Sequence, residues 1–60
     1  MAMFLFYNKE VHEKFFVEAE SIDESIKIAK AYLPGSKGGY GAFPKSYVES
    51  SGYDIIRKGA

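Results

Sequence analysis

His12 stands between Glu10 and Glu13, and Asp23 sits beside Glu24. These groups are where the chain could bind a metal or move a proton. A structural zinc site takes four ligands and a catalytic one takes three from the protein. At strand spacing Glu10 and His12 share one face and Glu13 takes the other, so only two ligands align. His12 is the only histidine and there is no cysteine, so the set cannot be completed. A solvated strand surface without metal is the expectation. Asp23 and Glu24 lie in "SIDE", where helix capping already employs them, and acid–base work needs a pocket that a chain of 60 residues rarely encloses. Ser21, Ser25, Ser36, Ser46, Ser50 and Ser51 include no G-x-S-x-G elbow. The expectation is a protein with no catalytic residue and no cofactor, not an enzyme.

Rings and lysines offer a different chemistry. From Pro34 to Pro44 runs "PGSKGGYGAFP". A P-loop needs G-x-x-x-x-G-K-[ST] before a helix, whereas these glycines follow one; Gly39 and Gly41 supply G-x-G without the third glycine of a dinucleotide fold. What remains is Lys37, Tyr40, Phe43, Lys45 and Tyr47, which interleave rings with positive charge as single-strand nucleic-acid binders do. "KGGYGAF" resembles the RNP1 strand of RNA-recognition motifs, but Gly39 is inserted before Tyr40, Ala42 precedes Phe43, and Pro44 removes an N–H donor. Two readings stay open: a binding loop, or Tyr40 and Phe43 folded back as caps on a small core.

The elements that must position these side chains follow from periodicity. "AMFLFY" and "VHEKFFVEA", joined by "NKE", read as a β-hairpin. Both parities of the first strand are apolar, so it must be covered on both sides. On the second, Val11, Phe15, Val17 and Ala19 face inward, while His12, Lys14, Phe16 and Glu18 face outward, with Phe16 the apolar exception. "SIDE" fits a capping box that starts a helix at Ile22, with Ile22, Ile26, Ala29 and Leu33 on one stripe. Pro34 and Gly35 end that helix near residue 33. "KSYVE" and "YDIIRK", separated by "SSG", predict a second hairpin. The sum is a single α+β domain over 1–60, a small antiparallel sheet in the order ββαββ with one amphipathic helix packed on one face.

Such a chain buries only about 60% of the surface its unfolded form exposes. Without cysteine it has no disulfides and no cysteine-based metal site, which favours a reducing compartment. Extra stability must come from aromatic packing or self-association. Formal charge is zero, with four basic and six acidic residues in 1–30 against four and two in 31–60. That balance suits neither a dedicated duplex binder nor a DNA mimic. "MAMFLFY" lacks a basic leader and is too short to span a bilayer, so it reads as a strand of a cytoplasmic protein with no membrane partner.

"FFVEAESIDESIKIAKAYL" is similar in pattern to small proteins of phages and mobile elements, compact anti-CRISPR proteins and other inhibitors of host defence among them. The matching residues are Val17, Ala19, Ser21, Glu24, Ile26, Ile28, Ala29 and Lys30. The resemblance implies a strand–cap–helix fold and an inhibitor or adaptor that docks on a host macromolecule, with a protein partner. The alternative is a single-stranded RNA binder using the aromatic-basic segment. Candidate binding residues are Lys37, Tyr40, Phe43, Lys45, Tyr47 and Phe16. Because one helix covers one face, Phe16 and the first strand leave an apolar patch. Either a second copy covers it, forming a homodimer through the sheet face or first-strand edge, or the glycine-rich segment and last hairpin wrap over it.

Overall fold

A computed structural model describes residues 2–57. In chain order its elements are β1 (Ala2–Asn8), β2 (Glu13–Ala19), α1 (Ile22–Tyr32), β3 (Lys37–Phe43), α2 (Lys45–Ser51) and β4 (Asp54–Arg57). They make an α+β structure around one four-stranded sheet, ordered β3-β1-β2-β4. β1 pairs antiparallel with β2 and β3, and β4 pairs parallel with β2. The order is therefore ββαβαβ, not ββαββ. The segment expected as the strand "KSYVE" is helical, the glycine-rich connection is a strand, and β4 pairs in parallel with β2, with no hairpin mate among the described residues. Lys58, the last residue of that expected hairpin, lies outside the described residues.

Topology explains the helix. β3 and β4 occupy opposite edges and run the same way, so the chain must cross the whole sheet between them. Three interstrand spacings amount to about 14 Å. A hairpin cannot make that journey, whereas seven helical residues advance about 10 Å and short flanks supply the rest. Pro44 suits the start, since a missing N–H costs nothing there, and its carbonyl accepts from the Val48 N–H at 3.1 Å. Gly52, at φ 78°, ends the helix in the left-handed region. The α1 crossover runs from β2 to β3 and the α2 crossover returns from β3 to β4. Crossovers of one hand running in opposite directions lie on opposite faces of a sheet.

The side chains divide accordingly. Phe4, Phe6, Phe15, Val17 and Ala19 pack with Ala29 of α1, supported by Ile26, Ile28, Leu33 and Ile56. Met3, Phe16 and Val48 of α2 form the opposite core with Leu5, Phe43 and Ile55. β1 is thus covered on both faces, as its two apolar parities demand. The patch around Phe16 is not open: α2 lies over it, and Phe16 is 1% exposed. The chain wraps itself at this place, which removes the ground for a two-fold interface through that patch.

α1 begins as its capping residues direct. Ser21 Oγ accepts from the Glu24 N–H at 3.2 Å, and the Glu24 carboxylate reaches the Glu20 N–H, also at 3.2 Å. The buried stripe is centred on Ser25 and Ala29, while Ile22 is exposed at the first turn. Ser25 is tolerated inside because its hydroxyl donates to the Ile22 carbonyl at 2.6 Å.

One buried polar residue joins the turn after β1 to the loop after α1. Asn8 Oδ1 accepts from the N–H groups of Glu10 and Val11 at 3.0 and 3.3 Å, while Nδ2 donates to the Pro34 carbonyl at 3.1 Å and to Ser36 Oγ at 3.3 Å. Replacing Asn8 with alanine leaves these groups without their partner, at an expected cost of about 1–3 kcal/mol. Urea melts of Asn8→Ala beside Lys9→Ala check this; equal midpoints would show that the four bonds contribute nothing net.

Candidate functional site

The glycine-rich stretch is an edge strand made irregular by two bulges. Met3 pairs with Phe43, Leu5 with Tyr40 and Phe6 with Gly38, so β3 carries an extra residue in each interval. Gly38, Gly39 and Gly41 supply positive φ there. At Gly38 the need is steric as well: a Cβ would stand 2.5 Å from the Leu5 carbonyl oxygen. The bulges change which side chains share a face. Tyr40 and Phe43, three residues apart, both fall on the α2 side through their pairing with Leu5 and Met3.

Strand register then builds two rows on that side. Tyr40, Leu5, Phe16 and Ile55 form one row across all four strands. Lys37, Tyr7 and Lys14 form the next, with Tyr53 just before Asp54, the partner of Phe15. Beneath α2, Phe16 meets Phe43, Tyr47 and Tyr53 at centroid separations of 5.5, 6.5 and 5.9 Å. Phe43 and Tyr47 stack at 5.5 Å with an interplanar angle of 18°. Tyr40, Tyr47 and Tyr53 are 56%, 55% and 42% exposed.

Each candidate residue now has a place. Phe43, Tyr47 and Phe16 form one aromatic cluster, in which Phe16 is interior, Phe43 half-buried and Tyr47 exposed. Lys37 and Tyr40 lie along β3 on the same side, and Lys45 opens α2, exposed. Phe43 packs on the core as the cap reading has it, whereas Tyr40 does not fold back and stays exposed. Sequence reasoning missed Tyr7, Lys14 and Tyr53. Lys14 carried a signal in the outward parity of β2, and Tyr7 in the second parity of β1. Tyr53 had none, because its position depends on β4 pairing in parallel with β2.

Tyr7 borders two shallow clefts at this end of the sheet. One, of about 320 Å³, is lined by Tyr7, Lys9, Glu10, Gly35 and Lys37. The other, of about 240 Å³, is lined by Tyr7, Asn8, Lys9, His12, Glu13 and Lys14. A third, at the start of α1, is lined by Ser21, Asp23, Glu24, Lys27 and Ile28, of which Ser21 and Glu24 serve the helix cap. Among the described residues no group of three or more His, Cys, Asp or Glu side chains is placed to hold a metal. Nor is any described helix long and apolar enough to cross a membrane. On the α2 side Glu18 is engaged by Arg57 at 2.9 Å, an exposed pair of small energetic value that still neutralises the carboxylate locally. This face sets exposed tyrosine rings near the ammonium groups of Lys14, Lys37 and Lys45. No family model, curated protein or solved structure matches this chain.

Proposed function

We propose that this chain is a non-enzymatic binding protein that inhibits or adapts another macromolecule by docking the α2 side of its sheet on it. The observation that carries the reading is the collection of Tyr7, Tyr40, Tyr47 and Tyr53 on one side, three of them exposed. Tyrosine brings a large rigid contact area with a polar tip, and it is enriched where interfaces gain most of their energy. Tyr47 and Tyr53 are buttressed from below by Phe16, so little ordering of these two rings is left to be done on binding. Similarity of the strand–cap–helix junction to small phage-type inhibitors supports an anti-defence role, and the lack of cysteine suits action in a bacterial cytoplasm. The junction itself serves the fold, since Val17, Ala19 and Ala29 are core and Ser21 caps α1.

A photoreactive phenylalanine analogue at position 40 or 47 tests the reading, with the same group at Lys27 on α1 as control. In bacterial extract, crosslinks to a discrete macromolecule are expected from positions 40 and 47 and not from 27. Equal labelling from all three positions, or none, would remove this face as the docking surface.

A further inference from the structure

We infer that the occupant of this face is single-stranded RNA, seated across the Lys37–Tyr7–Lys14 row with a base on Tyr40; this rests on the docking reading above and names its partner. The first ground is how the fold sorts charge. With zero formal charge over the chain, Lys14, Lys37 and Lys45 are all exposed on or beside the α2 side. Glu13 and Asp54 fall on the α1 side, because they pair with Asn8 and Phe15, whose side chains point that way. Asp23 and Glu24 lie on α1 itself, and Glu18 is held by Arg57. Glu49 on α2, with Glu10 and Glu13 in the lining of the clefts beside Tyr7, are the acids nearest the face, and Glu20 follows the end of β2. Lys9, Lys14, Lys37 and Lys45 thus stand against Glu10, Glu13 and Glu49, a small cationic excess on a neutral protein.

The second ground is the alternation of rings with cations. Tyr7 has Lys37 opposite it on one neighbouring strand and Lys14 on the other, and Lys9 lines the clefts on either side together with Glu10 and Glu13. Tyr40 stands in the next row, about 7 Å along the strand direction. Phosphates beside ammonium groups and bases stacked on rings are the two contacts by which single strands are held without sequence readout. Duplexes hide their base faces and are held mainly by phosphate neutralisation, which a neutral chain supplies poorly. The tyrosine hydroxyls favour RNA over DNA, since a ribose 2′-OH can both donate to and accept from them.

Fluorescence anisotropy with a labelled 12-nucleotide oligo(U), an oligo(dT) of equal length and a 16-base-pair duplex tests the inference. Oligo(U) is expected to bind most tightly, and three neutralised phosphates would weaken it about 20-fold between 50 and 200 mM salt. Tyr40→Ala is expected to weaken binding about tenfold or more, in line with the loss of one stacked base. Lys14→Glu with Lys37→Glu is expected to abolish binding, whereas Lys27→Glu with Lys30→Glu on α1, which changes the charge equally, leaves it measurable. All these side chains are exposed, and thermal melts confirm that each variant is folded. No binding of oligo(U) at 50 mM salt, tighter binding of oligo(dT) or duplex, or equal losses from the two charge pairs would overturn the inference. If oligonucleotides stay free while positions 40 and 47 crosslink to a protein, the RNA inference falls and the docking reading stands.

Discussion

Replacing Phe16 with alanine is expected to bring the protein to the edge of unfolding at room temperature. Domains hold about 0.05–0.15 kcal/mol of stability per residue, so a 60-residue chain has about 3–9 kcal/mol in all. Removing a fully buried phenylalanine costs about 3–5 kcal/mol, through lost transfer energy and the cavity left behind. Phe16 is 1% exposed and anchors one whole face, meeting the rings of Phe43, Tyr47 and Tyr53. α2 has little else to hold it, as Val48 is its one buried residue. Loss of Phe16 therefore releases α2 as well as opening a void. Circular dichroism with urea titration should show a midpoint near zero denaturant, and Phe16→Lys should show no folded baseline. A Phe16→Ala midpoint close to wild type would mean that α2 does not cover this residue in solution. A Phe16→Lys protein that stays folded and loses only mass in light scattering would restore a dimer through this face.

Gly38→Ala is the second large effect expected, and it acts through the backbone. The added Cβ would stand 2.5 Å from the Leu5 carbonyl oxygen and 2.8 Å from the Phe6 Cα. Both neighbours belong to the central strand β1, so neither can yield without disturbing β1's pairing with β2. The φ of +146° adds conformational strain that an L side chain rarely sustains. Together these should cost about 2–4 kcal/mol. Gly41→Ala is the matched comparison: its φ is +47°, and nothing stands within 4 Å of the added atom. Its penalty should be the left-handed one alone, about 1–2 kcal/mol. Urea midpoints of the two variants separate these cases. If they fall equally, the close approach of β3 to β1 is not the reason for glycine at 38.

The same two residues mark where local pattern stops being informative. Phe16 was legible as an apolar side chain on an otherwise polar parity, which says that something must cover it. Whether a second copy or the chain itself supplied the cover depended on α2. The glycines were legible as a demand for unusual backbone. That they serve bulges in a strand rather than turns in a loop depended on the side of β1 against which the segment lies.

Local chemistry alone determined that β1 pairs with β2, the start of α1 at Ser21 and its end before Pro34. It did not determine the extent of the hairpin turn: Val11 and His12, expected in the second strand, lie in the turn, with Val11 exposed. What it determined rests on contacts between residues near in sequence: alternating side chains, a hydroxyl reaching three residues ahead, a ring that forbids helical dihedrals to its predecessor. The candidate site was half legible for the same reason. Lys37, Tyr40, Phe43, Lys45 and Tyr47 are close along the chain, whereas Tyr7, Lys14 and Tyr53 join them only across strands. Tertiary structure decided the rest. "KSYVESS" has a weak pattern of either period, and it is helical because β3 and β4 lie at opposite edges of one sheet. That placement is set by pairing between segments dozens of residues apart, and the alternation of short runs carries no record of it.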